Sequence, residues 1–301
     1  MKAKLLSWIL LLSLLLGGCA GESVLGPTET KEAPVTVQTV ETKTEEVKTQ
    51  PETLPATEEV TPTALRLNEE EKLARNAKLA EVLKGKKVSF IGDSISTFEG
   101  YSNNTAYNAT IGGNKVYYTG DKRGFTDVNK TWWMQVANAT GMELLVNNSW
   151  SGDRVTNRGV ARAKELHNNQ GVKPDVIVVY LGINDFRKGI TPEAFKAAYD
   201  KMIGGMKEAY PEAEVYLCDL VYSSGMNNPG FRPKEVVKTN AVIAEIAQKY
   251  QATLVDLYNG TGITWRNLAE HMCDEVLHPN YKGMEVMAEC ILSAMAEDYL
   301  Q

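Results

Sequence analysis

Histidine is scarce in this chain, with three in 301 residues. Any imidazole chemistry must therefore come from His167, His271 or His278. Cysteine is nearly as rare, with four. Cys19 closes an apolar leader, which leaves Cys218, Cys273 and Cys290. An odd number argues against a disulfide framework. No cluster has metal-ligand spacing, and no glycine-rich phosphate loop occurs, so neither a metal nor a cofactor is expected. The net charge is -6 and no basic cluster tracks along the chain, which argues against a nucleic-acid partner. After the leader, no segment is long and apolar enough to span a bilayer. There is no internal repeat.

What the chain does carry begins with that leader. Lys2 and Lys4 precede the apolar run Leu5–Leu16, which ends in Gly17-Gly18-Cys19. This resembles a bacterial lipoprotein signal, in which residues 1–18 are removed and the cysteine is lipidated. It implies export and a membrane anchor on Cys19. Residues 19–65 are rich in Thr, Glu, Val, Pro and Lys. They cannot bury enough apolar surface to offset chain entropy and read as a disordered tether. Asn68 with Glu71 has the form of a capping box, and Leu73, Ala77, Ala80 and Leu83 mark one face of the helix that follows. The folded domain is expected over 66–301.

Within it, short apolar runs alternate with helical patterns. Val88–Ile91, Glu143–Asn148, Asp175–Gly182, Val215–Leu220 and Thr253–Leu257 read as strands. The third is continuously apolar, as in a parallel strand buried on both faces. The segments between them read as helices, including Val155–His167, a helix opened by Thr191-Pro192, Lys234–Tyr250, a short Ile263–Met272 helix, and a last helix to about Leu300. Trp132-Trp133 lies in a helix closed by Gly141, with core packing expected for each ring. Such alternation implies βαβ crossovers and a three-layer α/β/α sandwich around a parallel sheet of about five strands. One stretch breaks the pattern. Glu99–Lys130 is aperiodic and rich in Tyr, Asn and Gly, including Tyr101, Tyr107, Tyr117 and Tyr118. Loops of that length in compact domains are usually functional, and its amides and phenols suit sugar hydroxyls.

Three strands end in small or polar clusters: Gly92-Asp93-Ser94, Ser151-Gly152, and Gly182-Ile183-Asn184-Asp185. In a parallel sheet these ends share one edge, where ligands bind. His278-Pro279 adds a histidine biased towards an extended loop, whereas His167 and His271 fall in helical segments away from strand ends.

These four blocks, in order, resemble the SGNH or GDSL-type hydrolases, from Val88 to the C-terminus. The resemblance implies a flavodoxin-like sandwich and ester hydrolysis, often of acetyl groups on carbohydrate. It implies Ser94 as nucleophile and His278 as base, with the backbone N–H groups of Ser94 and Gly152 and the side-chain amide of Asn184 as the oxyanion hole. The family places an aspartate three residues before the histidine. Here that position is Glu275, and Asp274 is one further away, so either the loop carries an extra residue and Asp274 orients His278, or Glu275 does. Asp93 and Asp185 read as braces of their turns. Together with Trp150 and Arg154 they are also the candidates for substrate contact, and Arg187 lies near the same rim. Cys218 and Cys290 read as buried thiols.

The expected activity is that of an extracellular, membrane-tethered serine esterase acting on O-acyl groups of carbohydrate, acetyl above all. The alternatives are a non-catalytic glycan-binding surface lipoprotein and a thioesterase or lipase of the same fold.

Overall fold

The computed structural model describes residues 61–102, 115–120, 124–224 and 233–301, with the side chains of 233–235 excepted. The expected signal 1–18, Cys19, the tether up to residue 60 and residues 103–114 of the Tyr/Asn-rich loop lie outside the described residues. One compact unit spans Glu58–Gln301. Thr63–Leu65 form a single 3-10 turn that buries Ala64 against the last helix, so packed chain begins a few residues before 66.

Five strands form one sheet: β1 (Lys87–Gly92), β2 (Glu143–Ser149), β3 (Val176–Tyr180), β4 (Glu214–Cys218) and β5 (Thr253–Val255). Their order is β2-β1-β3-β4-β5 and every pairing is parallel. β1 lies between β2 and β3, with Phe90 opposite both Asn147 and Val178. The chain winds outwards in opposite directions from this point, which opens a crevice beyond the carboxyl ends of β1 and β3. Every residue of β3 is buried, as its unbroken apolar run requires.

Helices cover the sheet in two groups. Glu69–Leu83, Trp132–Thr140 and Tyr281–Tyr299 pack together, and Pro192–Ala209 packs with Pro233–Tyr250 and the Val155–Arg162 segment. Trp132 and Trp133 are both fully buried, with Phe90 at ring-centroid distances of 5.4 and 6.0 Å. Adjacent positions on a helix diverge, and the pair spreads accordingly, Trp132 towards Tyr180 and Trp133 towards Tyr101.

The capping box at Asn68 forms as its spacing predicts, Glu71 N–H donating to Asn68 Oδ1 at 3.0 Å and Asn68 N–H to Glu71 Oε2 at 2.8 Å. The buried face of that helix differs from expectation. It carries Arg75, Leu79 and Leu83, while Leu73 is 70% exposed. Arg75 reaches Glu289 at 2.9 Å and Ser293 at 3.2 Å on the last helix, and this polar seam turns Leu73 and Ala77 outward.

Val155–His167 is not one helix. It opens as a wide π turn, Val155–Gly159, continues as Val160–Arg162 and then unwinds. The cause is tertiary hydrogen bonding. Asp185 takes the first N–H groups, and Ser89 Oγ and the Tyr210 phenol donate to the Leu166 and Lys164 carbonyls (2.8 and 2.7 Å). Likewise β5 stops at Val255, because Asp219 Oδ1 accepts the Leu257 and Tyr258 N–H groups at 2.7 and 2.9 Å and starts a one-turn helix, Leu257–Gly260. The helix expected over Ile263–Met272 is confined to Leu268–His271. Cys218 and Cys290 are buried and free.

Candidate active site

The site begins where β1 can no longer continue. A Cβ on Gly92 would sit 2.4 Å from Ser96 Oγ and 3.0 Å from the Tyr180 carbonyl oxygen. Only glycine lets the next turn fold back this tightly. Asp93 caps that turn, Ser94–Ser96, by accepting the Ile95 N–H at 3.1 Å. The cap leaves Ser94 at the head of the turn, 4% exposed, with its Oγ 2.9 Å from His278 Nε2.

His278 arrives on a loop closed at its base. Met272 and Pro279 form an antiparallel bridge, with Cys273 N–H donating to the His278 carbonyl and Asn280 N–H to that of His271, both at 2.8 Å. Inside the loop, Asp274 Oδ1 accepts three backbone N–H groups, from Val276, Leu277 and His278, at 2.9–3.0 Å. Its Oδ2 lies 2.5 Å from His278 Nδ1. Burial alone would raise the Asp274 carboxyl, but the bonds from the imidazole and from the Leu277 and His278 N–H groups outweigh it and hold it well below the usual carboxylate range. Glu275 comes next in this loop. It adopts φ 57°, in the left-handed region, and its side chain is exposed. The structure brings Asp274, and not Glu275, to the imidazole.

Three donor-bearing residues follow the carboxyl ends of β1, β2 and β3. Gly152, at φ 76°, is exposed, with open space where a Cβ would be. Neither its N–H nor that of Ser94 has an acceptor among the described residues. Asn184, half-buried, spends one amide N–H on the Asp153 carbonyl oxygen at 3.0 Å, which orients the side chain and leaves its second N–H. Two unbonded backbone N–H groups and one amide N–H are thus left beyond the ends of β1, β2 and β3.

The other candidates for substrate contact are mostly structural. Asp93 is fully buried, and burial pushes its carboxyl up to about 7 despite the Ile95 N–H and the Arg162 charge. Asp185 is fully buried and accepts from Val155 N–H, Thr156 N–H and Thr156 Oγ1 at 2.7–3.1 Å. Trp150 is 4% exposed beneath the Arg158 guanidinium, and its backbone N–H donates to the Gly92 carbonyl at 3.2 Å. None of the three offers a surface to a ligand, because each side chain is buried. Arg154 remains half-buried beside Asp185, and Arg187 donates to the Ser224 carbonyl at 3.0 Å. His167 and His271 bond locally, to the Tyr210 phenol and the Asn267 carbonyl.

Two features escape sequence reasoning. Arg162 and Asp153 are both fully buried and paired at 2.8 Å, and Arg162 also donates to the carbonyls of Gly92 and Asn148. It thereby ties the ends of β1 and β2 together. Several arginines follow β2, and no pattern marks this one. The second is Tyr117, whose ring is stacked on His278, centroids 3.4 Å apart and planes 11° apart. Four tyrosines of that loop were equal candidates. Among the described residues no three His, Cys, Asp or Glu side chains converge as metal ligands would. A cavity of about 930 Å³ lies away from Ser94, between Arg66, Tyr258 and Trp265. The Asp256, Asn259 and Asn267 side chains on its wall are taken up by one another and by nearby backbone.

The fold and the chain's sequence match known proteins. A solved Bacteroides ovatus structure of the GDSL-like lipase type is 24% identical, with a TM-score of 0.52, and the match covers 71% of this chain and 99% of that one. The lipase/acylhydrolase from Enterococcus faecalis is 21% identical, with a TM-score of 0.50 over 71% and 96%. An acetylxylan esterase from Geobacillus stearothermophilus is 20% identical, with a TM-score of 0.51 over 71% and 95%. No curated protein matches the chain. The GDSL-like Lipase/Acylhydrolase family matches residues 90–286, and the chain belongs to it.

Proposed function

We propose that this hydrolase of the GDSL-like lipase/acylhydrolase family is a serine esterase that removes O-acetyl groups from carbohydrate. The observation that carries the reading is the unbroken hydrogen-bonded chain Ser94 Oγ–His278 Nε2–His278 Nδ1–Asp274 Oδ2 beside the open N–H groups of Ser94 and Gly152. His278 Nε2 takes the Ser94 hydroxyl proton as Oγ attacks the ester carbonyl. Ser94 N–H, Gly152 N–H and Asn184 Nδ2 receive the negative charge that develops on the carbonyl oxygen. Asp274 fixes the tautomer with Nδ1 protonated and balances the imidazolium. The imidazolium then protonates the departing sugar oxygen, leaving an acyl-Ser94. Water, deprotonated by His278, attacks that ester and releases acetate and free Ser94.

The shifted acid spacing was the one feature favouring a non-catalytic glycan binder. Asp274, one residue further from His278 than the family position, nonetheless contacts it while Glu275 turns outward, which supports the enzymatic reading. Carbohydrate is favoured by the polar loop after β1 and by the acetylxylan esterase among the structural relatives. The leader and tether support a protein exported and held at the cell surface by lipid on Cys19.

The test is acetate release from acetylated xylan and from 4-nitrophenyl acetate by residues 61–301, beside Ser94→Ala. Turnover on both that disappears with Ser94 is expected. Equal turnover by Ser94→Ala refutes the serine mechanism. Hydrolysis of 4-nitrophenyl octanoate in preference to both acetyl esters transfers the assignment to a lipase.

A further inference from the structure

The two hydrogen bonds of His278 leave one motion unrestrained. Asp274 holds Nδ1 and Ser94 meets Nε2. Both bonds lie in the ring plane, so neither prevents the imidazole from tilting about the line that joins them. The Tyr117 ring, parallel to it at 3.4 Å, opposes that tilt. The Tyr117 phenol also donates to Asp274 Oδ2 at 3.1 Å, the oxygen that faces His278 Nδ1. The carboxylate is thus pinned from both ends, by backbone N–H groups on Oδ1 and by the phenol on Oδ2. Tyr117 is itself keyed to the nucleophile. Its N–H donates to Thr97 Oγ1 at 2.9 Å, and that hydroxyl donates to the Ser94 carbonyl at 2.9 Å. Its neighbour Tyr118 donates to the Pro279 carbonyl at 2.8 Å, just beyond the base. One short stretch of chain therefore touches the serine turn, the acid and the imidazole.

We propose that Tyr117 is a positioning residue that clamps Asp274 and His278 in the register at which Nε2 meets Ser94 Oγ. This rests on the serine-esterase reading. Its physical content is that general-base catalysis depends steeply on alignment, and a displacement of about 1 Å can cost about 10²-fold in rate. Tyr117 bonds to Asp274 and Thr97 and stacks on the face of the imidazole, with no hydrogen bond to Ser94 Oγ or His278 Nε2, so the clamp acts on kcat more than on KM. Its ring also suits the imidazolium, which gains from an aromatic face.

Two substitutions separate the parts of the clamp. Tyr117→Leu removes ring and phenol; Tyr117→Phe keeps the ring. With 4-nitrophenyl acetate, Tyr117→Leu should lower kcat about 10²-fold with KM within about threefold, and Tyr117→Phe should restore kcat to within about tenfold of the parent. A readout independent of turnover comes from proton NMR. The His278 imidazole C–H resonances, identified among three histidines by their loss in His278→Gln, lie under the Tyr117 ring current. They should move downfield in Tyr117→Leu and stay in place in Tyr117→Phe. A parent-like kcat in Tyr117→Leu, or resonances that do not move, overturns the clamp. If Tyr117→Leu does not fold, a parent-like kcat in Tyr117→Phe overturns the phenol's part and a fall of about fivefold supports it. Absence of Ser94-dependent turnover in the parent defeats the esterase reading instead, and the resonances alone then decide the clamp.

Discussion

Replacing Asp274 by asparagine tests the acid assignment, because the loop dictates which way the new side chain must face. Asp274 Oδ1 receives the N–H groups of Val276, Leu277 and His278 at 2.9–3.0 Å. Only a carbonyl oxygen can accept those three bonds. In Asp274→Asn the amide oxygen must therefore stay at Oδ1, which turns Nδ2 towards His278 Nδ1 and the Tyr117 phenol. An N–H facing Nδ1 forces the imidazole to accept there and to carry its proton on Nε2, the nitrogen that should take the Ser94 proton. The base is then in the wrong tautomer, and the imidazolium loses its counter-charge. A drop in kcat of about 10³–10⁴-fold follows, with stability little changed because the three backbone bonds survive. Glu275→Gly is the paired control. It removes an exposed side chain from φ 57°, where a non-glycine residue costs about 1–2 kcal/mol. Glycine loses about 0.5–1 kcal/mol of that in unfolded-state entropy, so a gain of about 0.5–1 kcal/mol at unchanged kcat is expected. Initial rates with 4-nitrophenyl acetate and urea unfolding of both variants supply the numbers. If Asp274→Asn keeps a tenth of the parent kcat, or Glu275→Gly loses as much as Asp274→Asn, the argument from loop geometry fails.

Gly92→Ala should cost about 1–3 kcal/mol, since the new methyl group meets Ser96 Oγ at 2.4 Å and Ser96 Cβ at 2.7 Å; a melting temperature within a degree of the parent would show that the turn yields freely. Arg162→Met leaves the fully buried Asp153 without its partner and should cost about 3–5 kcal/mol. Adding Asp153→Leu should recover part of this in a double-mutant cycle, and strict additivity would contradict the pairing. Asp93 and Asp219 are both pushed up to about 7, chiefly by burial. Each raised carboxyl contributes stability that is complete below the unfolded value near about 4 and lost as pH rises through 7. Unfolding free energies from urea titrations should therefore fall between about pH 4 and 7 and level off above it, with a slope approaching about 1.4 kcal/mol per pH unit for each proton. Asp219→Asn, which keeps the acceptor for Leu257 and Tyr258, should flatten the curve.

The parallel sheet was legible because its strands are short apolar runs, and burial on both faces leaves no other use for a stretch such as Val176–Leu181. The edge that carries the site was legible for the same reason, since all parallel strands end together. What stayed hidden depends on partners distant in sequence. The buried face of the first helix departs from its apolar spacing because Arg75, a charged residue, turns inward to Glu289 on the last helix. The segment after β2 has the pattern of a full helix, and Asp185 and Tyr210, which divert its backbone, lie far along the chain. Tyr117 could not be singled out from Tyr101, Tyr107 and Tyr118, because only the folded loop shows which phenol lies over His278. The acid before His278 was ambiguous by one residue, and a backbone angle at Glu275, invisible in composition, resolves the geometry.

Four aspartates stand around the Ser94 end of the crevice, beyond β1, β2 and β3 and on the His278 loop, and what separates them is the partner each already has. Asp93 caps the turn of Ser94, Asp153 neutralises Arg162, and Asp185 gathers the N–H groups that open the Val155 turn. All three are fully buried, and a carboxylate so enclosed holds backbone in place but cannot follow a moving proton. Asp274 alone is partly exposed and keeps one oxygen for an imidazole. The division has a consequence for substitution. Exchanging a bracing aspartate should cost stability first and rate only as the strand end shifts, whereas exchanging Asp274 should cost rate with the fold intact. The site is therefore the visible end of a buried scaffold: Arg162 links the carbonyls of Gly92, the last residue of β1, and Asn148, the last but one of β2, and Ser94 and Gly152 stand beyond the ends it holds together.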